Sequence, residues 1–94
     1  MPEKKRSEEW KRQVGQRLRA VRVAAGYKTA REFAQRIGVG ESAYTNWERG
    51  ERLVEPEDLR KVRDLTGVTS DYIYYGDPSG LPARLARALK VAKQ

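Results

Sequence analysis

Ala30-Arg31-Glu32-Phe33-Ala34-Gln35-Arg36-Ile37-Gly38-Val39-Gly40-Glu41-Ser42-Ala43-Tyr44-Thr45-Asn46-Trp47-Glu48-Arg49 is the stretch whose reading decides the fold. Counted from Ala30 as position one, apolar residues stand at four (Phe33), eight (Ile37), ten (Val39), fifteen (Tyr44) and eighteen (Trp47). Small residues stand at five (Ala34) and nine (Gly38). Two short helices that cross steeply need a small residue at their contact, which Ala34 supplies. The tight turn between them needs a positive φ, which Gly38 adopts without steric cost. The remaining apolar positions press both helices onto the rest of the chain. Glu41, Ser42, Thr45, Asn46 and Arg49 are left together on the outward face of the second helix.

The flanks read as further helices. Thr29-Ala30-Arg31-Glu32 is a capping box, in which Thr29 accepts from the amide three residues on and Glu32 reaches back. Gly38 ends that helix. The next runs from about Glu41 to Arg49 with Val39, Tyr44 and Trp47 inward, and Gly50 ends it. Upstream, Ser7 is placed to cap a first helix with Glu8 and Glu9 in its opening turn. Trp10, Val14, Leu18, Val21 and Ala25 recur along it at helical spacing, and Gly26 ends it. Gly15 inside this helix costs roughly 1 kcal/mol relative to Ala, which points to close approach of another helix.

Downstream, Pro56 suits the first turn of a helix carrying Leu59, Val62 and Leu65, closed by Gly67. Ser70 is read as the cap of a short helix holding Tyr72, Ile73 and Tyr75, ended by Gly76. Asp77-Pro78-Ser79-Gly80 reads as a turn. Beyond it Leu81, Leu85, Leu89 and Ala92 form one stripe of a last helix, decorated by Arg84, Arg87, Lys90 and Lys93. No strand-like alternation and no internal repeat is present. The expected class is all-α. The expected organisation is a basic N-terminal tail (1–6), a domain (7–76) and a turn with a C-terminal amphipathic helix (77–94).

Composition narrows the function classes. The chain has 94 residues, enough for one domain, and regular apolar spacing argues against disorder despite 35% charged residues. Without Cys or His, a disulfide framework, a zinc finger and a Cys/His nucleophile are excluded. A catalytic site would then rest on exposed carboxylates and lysines, and none cluster beside an apolar pocket pattern, so an enzyme is not expected. No cofactor is implied. No apolar run approaches the roughly 18 residues of a membrane span, and no signal-peptide core follows Met1, so a cytoplasmic protein is expected. The net charge of +7 favours polyanionic partners. It is uneven: residues 1–36 carry 11 basic and 4 acidic groups, residues 37–80 carry 5 and 9, and residues 81–94 carry 4 and none.

The 30–49 unit is therefore a helix-turn-helix, whose second helix presents the face that enters a major groove. Over residues 14–76 the sequence resembles the lambda-repressor-like (Xre/Cro-repressor type) helix-turn-helix proteins. The resemblance is carried by Val14-Gly15-Gln16-Arg17-Leu18-Arg19, Arg22 four residues before Gly26, Phe33-Ala34, Ile37-Gly38-Val39, Trp47-Glu48-Arg49-Gly50 and Tyr72-Ile73-Tyr74-Tyr75-Gly76. It implies a five-helix DNA-binding domain, to which the last helix is an addition, together with operator binding and dimerisation in a bacterial or phage-encoded protein. It places base-reading positions on Glu41, Ser42 and Asn46, with Thr45 beside them. Asn46 would pair with adenine N6/N7 and Glu41 would accept from cytosine N4. It also implies a structural ion pair between Arg22 and Glu48.

Three features depart from the family pattern. Ala30 stands where many members have a phosphate-contacting Gln. The segment between Gly26 and Phe33 is one residue longer than the common form. Gly40 stands where Ser or Thr usually caps the recognition helix. Thr29, Arg31 and the helix N-terminus are the expected substitutes for the missing phosphate contact, and Arg17, Lys28, Arg49 and Arg52 are further expected phosphate contacts.

Alternatives stand beside these readings. Helical phase favours Tyr44 and Trp47 as core over a base-stacking platform. Lys4, Lys5, Arg6, Lys11 and Arg12 form either a DNA-contacting arm or a solubilising tail. Leu81, Leu85 and Leu89 either fold back over the core or, with Tyr74, make a dimer contact. The leading expectation is a sequence-specific regulator, a repressor binding a palindromic operator on double-stranded DNA as a homodimer. An antitoxin-like autoregulator that also binds a protein partner, and a protein-interaction module without DNA binding, are the competing classes.

Overall fold

Six helices, with no strand among the described residues, build the chain in its computed structural model, which describes residues 2–91 and side chains from residue 6 onward. They are α1 (Pro2–Ala24), α2 (Ala30–Ile37), α3 (Glu41–Glu48), α4 (Pro56–Thr66), α5 (Ser70–Tyr75) and α6 (Ala83–Leu89). The side chains of Lys4 and Lys5, and Ala92 and Lys93 of the last stripe, lie outside what is described.

The helices start and stop largely where the local chemistry dictates. Thr29 accepts from the Glu32 amide at 3.1 Å. The return bond of the box runs from the Thr29 hydroxyl to Glu32 Oε1, 3.1 Å, rather than from the Thr29 backbone. Gly38 has φ +80 and its amide donates to the Ala34 carbonyl at 2.9 Å, so the turn into α3 takes the left-handed form that favours glycine. Gly40 caps α3 without a side-chain bond. Pro56 opens α4.

Two starts differ from the sequence reading. α1 runs on to Pro2, so Ser7 lies inside it. Pro2 is tolerated in a first turn because the amide it lacks would be unpaired there, and no second Pro or Gly interrupts residues 3–14. α5 is capped by Thr69 rather than Ser70, with Thr69 Oγ1 accepting from the Tyr72 amide at 3.0 Å.

The core gathers Leu18 and Val21 of α1, Phe33 and Ala34 of α2, Tyr44 of α3, Val62 of α4 and Ile73 of α5, all fully buried. A chain of edge-on rings, Tyr27–Phe33–Tyr44–Trp47, crosses it with centroids 5.3, 5.3 and 5.7 Å apart. α1 packs against α3, α5 and α6.

The last helix closes onto this core in cis. Leu81 and Leu85 are buried in it, and Leu89 packs half-buried against it. The dimer reading of Leu81 and Leu85 therefore gives way to the intramolecular one. A helix of 7 residues is marginal unpacked, and side chains enclosed by their own chain have no surface to offer a second copy. Among the described residues no helix is long and apolar enough to cross a membrane.

Candidate nucleic-acid interface

Tyr44 and Trp47, three apart on α3, turn into the core and so fix which side of the helix faces out. On that side Glu41, Ser42, Thr45, Asn46 and Arg49 line one shallow recess of about 270 Å³. Glu41, Ser42 and Arg49 are exposed, while Thr45 and Asn46 are half-exposed. The Thr45 hydroxyl donates to the Glu41 carbonyl at 2.7 Å. Its proton is committed, so Thr45 offers an acceptor oxygen and a methyl group outward.

α3 is clamped from behind. Arg22 Nε donates to Glu48 Oε2 at 2.7 Å and Nη2 to Oε1 at 3.3 Å, while Nη1 donates to the Tyr27 carbonyl at 2.9 Å. The hydrogen bond to Glu48 raises the Arg22 pKa, so the guanidinium stays charged although buried. Gly15 of α1 lies against the carbonyl oxygens of Trp47 and Glu48, where any Cβ would collide. The close approach read from Gly15 is thus an approach to the last turn of α3. Tyr44 is fully buried, and its hydroxyl makes no hydrogen bond within ordinary distance. Burial, with the nearby Glu48 carboxylate adding, raises its pKa above the usual phenol range.

The other expected contacts fall in two groups. Lys28, Thr29 and Arg31 are exposed at the start of α2, and Arg49 and Arg52 are exposed beyond α3. Among the described residues the ion pairs are Arg22–Glu48 and Lys61–Asp58, so these cations are free of carboxylate partners. Arg17 is placed elsewhere. Half-buried, its Nη1 donates to the Ile73 carbonyl at 3.1 Å, and its guanidinium lies against Gly76, tying α1 to α5. Tyr74 is also engaged internally. It is half-buried, and its hydroxyl donates to the Val54 carbonyl at 2.7 Å.

Some neighbours of the site escaped the sequence reading. Trp10 was assigned to the core stripe, yet it is half-buried, bonds the Tyr74 carbonyl through Nε1, and stacks on Tyr75 with centroids 6.1 Å apart. Tyr75 is 71% exposed. Ser7, Trp10 and Lys11 of α1 share a cleft of about 630 Å³ with Asn46 and Arg52. Glu51, Glu55 and Asp58 stand on the same rim. The sequence signal for this neighbourhood is the basic run of Lys4, Lys5, Arg6, Lys11 and Arg12. Among the described residues no group of acids could hold a metal ion.

The family described as "Helix-turn-helix domain" matches residues 13–72, and the chain belongs to it. Its all-helical architecture is that of the lambda-repressor-like members, with α6 lying beyond the matched segment. The chain is similar to the HTH-type transcriptional regulator ImmR of Bacillus subtilis (strain 168), at 35% identity over 60 residues. That match covers 64% of this chain and 46% of ImmR, so the chain spans about half the length of this curated relative. No solved structure matches the chain significantly.

Proposed function

We propose that the chain is a sequence-specific DNA-binding transcriptional regulator, a repressor that binds a palindromic operator as a two-fold dimer. The observation that carries this reading is the recess formed by Glu41, Ser42, Thr45, Asn46 and Arg49 on a helix locked from behind by Tyr44, Trp47 and the Arg22–Glu48 pair. A helix held at a fixed angle with its polar face outward is what major-groove reading requires. Asn46 reads adenine and Glu41 reads cytosine. Lys28, Thr29 and Arg31 before α2, and Arg49 and Arg52 after α3, hold phosphates. The relative's name as a transcriptional regulator supports the regulatory part. The exposed Tyr75 stacked on Trp10 supports a dimer contact there, since Leu81 and Leu85 are enclosed.

Selection from random duplex oligonucleotides at fixed salt, followed by footprinting, tests this. The expected product is an inverted repeat with half-sites about 34 Å, or one helical turn, apart. Recovery of sequences no richer than the input pool, from a chain folded by circular dichroism, overturns the DNA-reading proposal. A single unpaired half-site removes the dimer.

A further inference from the structure

α1 buries Val14, Leu18 and Val21, and leaves its opposite face uncovered. Val23 on that face is 56% exposed. Ala20, Val23 and Ala24 of α1 form a groove of about 640 Å³ with Ala88 and Leu89 of α6. A second recess of about 480 Å³ shares Ala24 and Ala88 with the first and continues over Leu65, Pro82 and Leu85. The two adjoin through Ala24 and Ala88 and together form a channel along α1 from Gln16 to its end at Ala24, continuing over Ala25 and Gly26. At 1.5 Å per residue the helical part is about 12 Å, or roughly two helical turns.

The channel's lining is mostly apolar, with Gln16 and Thr66 as its uncharged polar side chains. Its alanines let another backbone come close, while Val23, Leu65 and Leu89 supply apolar surface. Arg19 lines one recess and Arg84 the other, with Arg87 exposed on α6 and Lys90 exposed at the cap that ends it. No carboxylate lines either recess. Among the described residues none of these four cations is in an ion pair.

We propose that this channel is the docking site for an acidic amphipathic helix of a partner protein, of at least two turns. Its apolar stripe would lie on α1 and α6, and its carboxylates would face Arg19 and Arg84. A second copy of this chain is a poorer occupant, because it would bring the same cationic rim against itself. Duplex DNA is drawn to the cations but offers no apolar surface for Val23 and Leu89. The channel shares no residue with the recess on α3, so partner and DNA can be held together.

The probe is an acetylated, amidated peptide of about twelve residues with a Leu/Ala stripe flanked by Glu, titrated into the isotope-labelled full chain. A control peptide has Lys in place of Glu. The Glu peptide is expected to shift the amides of residues 16–26 and 83–89 and leave 41–49 unmoved. Val23→Asp and Arg84→Glu are each expected to weaken it by about tenfold or more, with Arg84→Glu improving the Lys peptide. Both sites are exposed, and thermal unfolding confirms that the variants fold. The proposal is overturned by equal binding of the Lys peptide, or by absence of shifts at 16–26. It is also overturned if sedimentation shows a dimer that Val23→Asp dissolves, or if duplex DNA shifts the same amides.

Discussion

The Arg22 guanidinium grips the Glu48 carboxylate through two hydrogen bonds, 2.7 and 3.3 Å, with side chains only 7% and 11% exposed. The pair joins the last turn of α1 to the last turn of α3. Removing one partner strands the other charge in a nearly enclosed site, which in proteins costs about 3–5 kcal/mol. The site lies at the edge of the core, so Glu48→Ala is expected at the lower end, about 3 kcal/mol, by urea denaturation. Replacing both residues by apolar ones of similar size (Arg22→Met with Glu48→Leu) is expected to recover most of that loss. A loss below about 1 kcal/mol for Glu48→Ala would mean that the pair behaves as an exposed one.

Gly15→Ala sets helix propensity against packing. Ala is the better helix former by about 1 kcal/mol, so a free α1 would gain. At this position the added methyl meets the carbonyl oxygens of Trp47 and Glu48, which are backbone and cannot swing aside. α1 and α3 must separate, and overpacking of this kind costs about 1–3 kcal/mol. The variant is expected to melt several degrees lower. A melting temperature equal to or above that of the parent chain would show that the two helices tolerate more space than their contact suggests.

Legibility in the sequence followed locality. Gly38, Ala34 and Thr29 were readable because each answers a need within its own turn: a positive φ, a close crossing, an unpaired amide. The Arg22–Glu48 pair was readable only through family resemblance, since 26 residues separate the partners. An amphipathic stripe says that a face is buried but not against what. Leu81 and Leu85 were therefore open between core and interface, and Trp10 gave no hint of Tyr74 and Tyr75. Arg17 looked like any exposed cation until the Ile73 carbonyl appeared beside it. Thr69 and Ser70 are adjacent hydroxyl residues, and only the backbone decides which one sits extended before α5.

Tyr44 makes the fold sensitive to alkali. Its buried, unpaired hydroxyl holds its proton above the ordinary phenol pKa, with burial the main cause. In the unfolded chain the phenol ionises near pH 10. Between that value and the raised folded one, the unfolded state has released a proton that the folded state retains. The contribution is thus complete below about pH 10 and drains away as pH rises beyond it. Tyr44→Phe is expected to flatten the alkaline fall in stability relative to the parent chain. At neutral pH it is expected to change stability by no more than about 1 kcal/mol, because the deleted hydroxyl was unpaired. Denaturation curves at neutral pH and above about pH 10 check both; parallel alkaline falls in the two proteins would place the sensitivity in another group.

Asn46 and Arg52 line the same cleft, yet the proposed function gives them opposite signatures. Arg52 is exposed and without an ion pair among the described residues, so it would act on phosphate. Arg52→Ala is then expected to weaken binding to every duplex alike and to flatten the plot of log affinity against log salt by about 0.9. Asn46 belongs to the recess on α3, so it would act on a base edge. Asn46→Ala is expected to leave the salt slope unchanged and to lose about 1–3 kcal/mol of discrimination at one base pair. Anisotropy titrations of both variants over a salt series, against the selected site and a point-mutated one, separate the two roles. If Asn46→Ala left the discrimination unchanged and Arg52→Ala relaxed the sequence preference, Arg52 rather than Asn46 would be the base reader.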